Sequence, residues 1–213
     1  MDGEFYEKDG KKYDRPTHML DYFTPPELVD WKIRTGATEA KRISRIALKH
    51  GARIDELVRS GKDPKKSDSD EVKSCHLAWN QWKSDNLVKD EDIEFPGTFY
   101  DEVLGVAGTP DIYWKARRMM IDLKSSKAVH EGYLFQVGGF YSRHPDFVVE
   151  RVAILRADKE IKQYEFRTNE NLKLSLEELR ASFEGLVTYY RGYKRVQGAL
   201  KPKEKVYDGS SCE

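Results

Sequence analysis

The chain has 213 residues, room for one domain with a sizeable core, and its 37 basic side chains are balanced by 37 acidic ones. That balance excludes a global positive field drawing the protein to nucleic acid, so any such affinity rests on local clusters. No apolar run approaches the ~20 residues of a membrane span, the acidic Met1-Asp2-Gly3-Glu4 is unlike a signal peptide, and Cys75 and Cys212 supply neither a disulfide framework nor four cluster-binding thiolates.

These features predict a cytoplasmic protein with no membrane partner. Aromatic and charged residues alternate around Asp9-Gly10, a favoured turn pair, and predict a hairpin over residues 4–13 within an extension of 1–15. Thr24 ahead of Pro25-Pro26 reads as the N-cap of a helix that ends near Gly36 and turns Leu28, Val29 and Trp31 to the core. His18, just before it, is expected at the surface or in a cap. Over 38–60, Ile43, Ile46, Ala47, Ile54, Leu57 and Val58 recur with the three-and-four rhythm of an amphipathic helix. Gly51 interrupts it at a cost of ~1 kcal/mol relative to alanine, which suggests a close approach to the backbone there. After a polar linker, Asp68-Ser69-Asp70-Glu71 suits a helix N-terminus, with Leu77, Ala78, Trp79 and Trp82 facing inward. Glu94 lies in a short strand, Asp92-Ile93-Glu94-Phe95; it or Glu102 supports the site described next, or faces solvent.

The chemistry concentrates in residues 105–124, GVAGTPDIYWKARRMMIDLK. Two strand-like runs, VAGTPDIYW and MMIDL, flank the basic turn Lys115-Ala116-Arg117-Arg118. Pairing them brings Asp111 to Asp122, and the two-residue period of a strand puts Lys124 on the face of Asp122. Two carboxylates at one spot repel each other and resist desolvation, so their convergence calls for a cation between them. Residues 128–143 read as a helix carrying Val129, Tyr133, Gln136, Phe140 and Tyr141, where Gly138-Gly139 suggests close packing on the sheet or close approach of a ligand. Strands over 148–155 and 161–167 extend the sheet. A helix over 175–196 opens on a capping box of Ser175 and Glu178 and buries Leu179, Phe183, Leu186 and Tyr190; the polar tail 198–213 is expected to be flexible.

Gly108-Thr109-Pro110-Asp111, then Ile121-Asp122-Leu123-Lys124-Ser125-Ser126, then Gln136 in the next helix, resemble in order the GxxD, DxKTS and Gln motifs of the RecB-like branch of the PD-(D/E)xK nuclease superfamily. The likeness covers roughly residues 15–170. It implies a mixed α/β fold with a restriction-endonuclease-like core in a nuclease domain of 16–197, a central mixed sheet whose catalytic hairpin is flanked by helices. It also implies one or two Mg²⁺ or Mn²⁺ ions held by Asp111, Asp122 and the backbone carbonyl of Leu123, with Lys124 and Gln136 as catalytic groups. Gly51-Ala52-Arg53-Ile54-Asp55 aligns with the family's GTxxH, whose histidine ligates metal; aspartate stands here, so Asp55 is either a substituted ligand or a solvated helix acid. His50 is off that position. Phe140 occupies the place of the tyrosine the family carries four residues after its glutamine, with Tyr141 beside it, 100° further round a regular helix.

The activity implied is metal-dependent hydrolysis of DNA phosphodiester bonds by an exonuclease of phage or cellular replication, recombination or repair, acting with a single-strand-binding or recombination protein. An endonuclease, a non-cleaving DNA-binding module of the same fold, and a different metal reaction are the alternatives. Lys115, Arg117, Arg118, Ser125 and Lys127 are either contacts to the sugar-phosphate backbone or surface residues kept for solubility.

Overall fold

The structure, a computed structural model, describes residues 5–200. Its N-terminal hairpin pairs β1 (Phe5–Lys8) with β2 (Lys11–Asp14). Both turn residues, Asp9 and Gly10, take positive φ of 50° and 72°, as a two-residue hairpin loop with the right-handed strand twist requires. Glu102 closes onto this hairpin, accepting hydrogen bonds from Lys11 Nζ and Tyr13 Oη. Its carboxylate is therefore committed to the hairpin and offers no support to the acid pair.

The short α1 (Pro16–Leu20) is followed by α2 (Pro26–Thr35). Thr24 does not cap α2: its Oγ1 donates back to the Asp21 carbonyl, and Pro25 stands at the cap position. Nor does α2 turn an apolar face to the core, since none of its residues is buried and Leu28 and Val29 are 41% and 42% exposed; Trp31 is half-buried. α3 (Ala37–Ser60) divides in two. Ile54, Leu57 and Val58 are buried as expected, whereas Ile43, Ile46 and Ala47 are exposed, because the first half of the helix packs against α2 and buries only Ala40. α4 (Asp70–Asp85) is capped by Ser69, whose Oγ accepts from the Val72 amide. It buries Ala78, Trp79 and Trp82 and stacks the two indoles 5.1 Å apart, but leaves Leu77 outside.

The remaining strands are β3 (Ile93–Glu94), β4 (Phe99–Asp101), β5 (Val106–Gly108), β6 (Ile112–Trp114) and β7 (Met119–Lys124), followed after α5 (Glu131–Leu134) by β8 (Arg151–Ala157) and β9 (Tyr164–Thr168). They form two mixed sheets, β1-β2-β5-β4 and β3-β6-β7-β8-β9, in a mixed α/β fold. VAGTPDIYW is two strands rather than one. Pro110 has no N–H for a ladder, and residues 109–111 carry the chain from the smaller sheet to the larger. β6 and β7 pair antiparallel with Ile112 opposite Ile121, while β7 and β8 run parallel.

Alternation along the strands divides the core. Ile112, Trp114, Met119 and Ile121 pack with α3 and α4 on one face; Tyr113, Met120, Val152 and Ile154 pack on the other with residues 137–141 and α6 (Leu176–Leu200). The expected helix over 128–143 is a composite: α5, a π-helical stretch Phe135–Phe140, and a 3₁₀ turn Tyr141–Arg143. The partner of Gly138-Gly139 is α6 rather than the sheet. A Cβ added to either glycine would lie 2.4 Å from a side-chain carbon of Leu179 or Phe183. β8 and β9 begin three residues later than expected, leaving Val148 and Ile161 64% and 60% exposed. The capping box of α6 is present in full: Ser175 Oγ accepts from Glu178 N, and Glu178 accepts from Ser175 N. α6 runs through Leu200, and the tail from 201, with Cys212, lies outside the described residues. Cys75 is buried against the Ala157 carbonyl, and burial pushes its thiol up to about 12. Among the described residues no helix is long and apolar enough to cross a membrane.

Candidate active site

Asp111 ends the crossing between the sheets, one residue before β6, and the hairpin register sets it across from Asp122 on β7. The Leu123 amide donates to Asp111 Oδ2 at 2.7 Å, so the backbone of β7 orients the first carboxylate. Asp122 is 1% exposed, on the sheet face of Met120 and beneath the π-helical stretch. Lys124, two residues on, places Nζ 2.8 Å from each Asp122 oxygen, and its hydrogen bond goes to Oδ1. Oδ2 is buried and receives no hydrogen bond from a donor.

Burial raises Asp111, the charge of Asp122 adds to it, and the carboxyl reaches about 7. Burial also raises Asp122, opposed chiefly by the charge and the hydrogen bond of Lys124. For Lys124, burial alone acts downward, but Asp122 and Asp111 outweigh it and hold the ammonium above its usual range. Its Nζ also lies 5.0 Å from the ring centroid of Tyr133, a cation–π contact that fixes the side chain over the acids. The cluster thus carries two electrostatically strained carboxylates and one firmly protonated lysine.

Gln136 is buried, and its Nε2 donates to Tyr141 Oη at 3.0 Å. A regular helix would separate these residues, whereas i and i+5 align in a π-helix. The π-helical stretch thus sets Tyr141, rather than Phe140, beside Gln136, while Phe140 enters the core, 5.0 Å from the ring of Phe99. Burial, then the charges of Asp111 and Asp122, hold the Tyr141 hydroxyl well above its usual pKa. Gly108 admits this ring: a Cβ there would lie 2.9 Å from Tyr141 Oη.

Asp55 is not brought into the pair. α3 packs on the opposite face of the sheet, so Asp55 reaches the cluster only at its rim, where its charge raises Asp111. Its carboxylate is bound by Arg59 at 2.8 Å, and Arg59 also donates to the Pro110 carbonyl at 3.2 Å. Among the described residues, no three His, Cys, Asp or Glu side chains gather at ligating spacing. Glu94 is exposed on edge strand β3, opposite Tyr113.

The basic turn lies at the far end of the hairpin, about 10 Å from Asp122 along three strand residues. Arg118 is paired with Glu150, Arg117 lies over the Trp114 ring, and Lys115 is exposed. Lys127 is near Glu160. Ser125 sits at the acid end of β7, its Oγ 3.9 Å from where a Cβ of Gly51 would stand. Sequence reasoning missed Tyr133 as the platform for Lys124. Arg59 is the base that the alternative reading of Asp55, a solvated helix acid, sets beside it, since acid and base four apart on a helix are neighbours.

Compared with known proteins, the chain matches no protein-family model and is not significantly similar to any curated protein.

Proposed function

We propose that the chain is a divalent-metal-dependent deoxyribonuclease, an exonuclease with a restriction-endonuclease-like core. The observation that carries this reading is the buried triad of Asp111, Asp122 and Lys124 on one hairpin. Two carboxylates buried together, with an Asp122 oxygen that has the Lys124 ammonium at 2.8 Å but accepts no hydrogen bond, fit an oxygen-seeking cation such as Mg²⁺ or Mn²⁺. Asp111 and Asp122 would hold it, with the Leu123 carbonyl as the backbone ligand that the resemblance implies. When bound, such an ion polarises the phosphoryl oxygen and acidifies water at neutral pH.

The protein groups supply the rest. Lys124 stays protonated at neutral pH and offers a fixed positive charge to the negative charge that builds on phosphorus oxygens in the transition state. Tyr141 keeps its proton and remains a donor, and Gln136 holds it in place. Together they present a polar edge that orients a phosphate or a water over the acid pair. The burial of the cluster strengthens each of these interactions relative to bulk water.

The test is cleavage of end-labelled linear and closed circular DNA by the parent and by Asp122→Asn, with Mg²⁺, Mn²⁺ or EDTA. Metal-dependent loss of the linear form alone, abolished in the variant, is expected. Equal cleavage by parent and variant would remove the assignment, and cleavage of the circle would make the enzyme an endonuclease.

A further inference from the structure

Between Pro26 and Lys49, Ala40 is the single buried residue, so α2 and the first half of α3 stand away from the body as a two-helix arm. From Ala37 to Lys49 this part of α3 extends about 18 Å at the rise of an α-helix. Although the whole chain is neutral, residues 32–49 hold six Lys or Arg against one acid, Glu39, which is already paired with Arg42. Lys41, Arg45 and Lys49 make no ion pair among the described residues. Spaced by four, they form one stripe with charges about 6 Å apart. Beside them Ile33 and Leu48 are 74% and 72% exposed, and Ile43 and Ile46 are also uncovered. A cleft of about 570 Å³ between the two helices is walled by Val29, Ile33 and Ala40 and rimmed by Lys32 and Lys41.

We propose that this arm binds a single-stranded polynucleotide and leads it along α3 to the acid pair, an assignment of ligand that rests on the nuclease reading. A regular row of unpaired cations complements a phosphate backbone. Aliphatic side chains next to that row need an apolar partner, and unpaired bases offer their faces where a duplex keeps them stacked. The cleft falls in the size range of small-ligand pockets, about 300–1,000 Å³, and takes a base between its aliphatic walls. A second copy of the chain is a poor occupant, because a two-fold contact through this arm sets like charge against like. The same helix then continues to Gly51, beside Ser125, and to Asp55, whose charge reaches Asp111. The arm and the triad are thus two ends of one path.

The test measures binding of a labelled oligothymidylate to the intact chain in EDTA, and separately hydrolysis of bis(p-nitrophenyl) phosphate with Mn²⁺, a diester too small to span arm and triad. The triple variant Lys41→Gln, Arg45→Gln, Lys49→Gln should lose about ten-fold or more in affinity, and the slope of log affinity against log salt should fall by about 2. Its hydrolysis of the small ester and its thermal melt should match the parent. Ile33→Ser with Leu48→Ser should weaken binding without changing the salt slope. Unchanged affinity and slope in the triple variant overturn the proposal. So does equal binding of a blunt duplex, or displacement of the oligonucleotide by polyglutamate at equal charge, which would make the partner an acidic polypeptide. A parent that binds the oligonucleotide through the arm yet hydrolyses no diester leaves the arm standing and removes the nuclease reading instead.

Discussion

Gln136 Nε2 donates to Tyr141 Oη at 3.0 Å across five positions, a pairing set by the π-helical stretch Phe135–Phe140. Phe140 lies between the rings of Phe99 and Phe183 and is fully buried. If Tyr141 works as the donor proposed above, Tyr141→Phe should lower kcat about ten-fold or more. The unpaired Gln136 amide should cost about 1–3 kcal/mol in stability. Adding Phe140→Tyr, which puts a tyrosine four residues after Gln136, should fail to rescue turnover, because that hydroxyl points into an apolar core. Rescue would show that the helix can shift to a regular register.

Removal of Lys124 separates a nuclease from a metal-binding module. Lys124→Ala takes away a charge that opposes the cation, so divalent-metal affinity should stay level or rise. Cleavage at saturating metal and DNA should fall by a factor on the order of 10² or more, the loss typical of one preorganised stabilising group, ~2.7–4 kcal/mol. Parental turnover under those conditions would leave the lysine a mere structural counter-ion for Asp122.

The acid pair predicts a pH-dependent stability that metal cancels. Asp111 reaches about 7 in the folded chain against about 3.9 when unfolded. Because the folded state binds the proton more tightly, the group costs nothing below about pH 4, and its penalty grows through about pH 4–7 and is complete above that. Asp68, which Arg53 holds down to about 2, acts in the opposite sense and only below about pH 4, so the two windows do not overlap. The melting temperature in EDTA should therefore fall from about pH 5 to pH 8 and recover with Mg²⁺ or Mn²⁺. Asp111→Asn should flatten the profile; an equal slope in that variant would place the titration elsewhere.

Asp55 and Arg59 form a pair that metal binding has to compete with if Asp55 is a ligand. Asp55→Ala should then raise the metal concentration for half-maximal cleavage, and Arg59→Gln, which frees the carboxylate, should lower it. Identical metal titrations in both variants would make Asp55 a rim charge with no part in coordination.

Gly139→Ala tests the seam between the π-helical stretch and α6. The new methyl would meet Phe183 Cβ at 2.4 Å and the Leu179 carbonyl oxygen at 2.9 Å, and neither is the free end of a flexible side chain. A destabilisation of about 1–3 kcal/mol is expected in chemical denaturation. Gly185→Ala, which meets nothing within 4 Å, is the control.

Local rules made much of this protein legible in its sequence. Asp9-Gly10 dictates its turn through backbone dihedrals, Ser175 and Glu178 cap α6 through bonds within one turn, and the two-residue strand period aligns Asp122 with Lys124. Each depends on neighbours a few positions away. The pairing of Asp111 with Asp122 was accessible for the same reason, since a short turn leaves few registers to choose from. Amphipathic spacing is a weaker guide, because it names the face a helix would bury without saying whether anything lies across from it. It therefore treated Ile43 and Ile54 alike, although α4 and the sheet cover only the second. Tertiary structure alone decided the depth at which the acids are buried, the choice of α6 as partner of Gly138-Gly139, and the π-helical step that trades Phe140 for Tyr141. All three depend on which distant element is pressed against the segment, and a burial or packing energy has no local residue pattern to announce it.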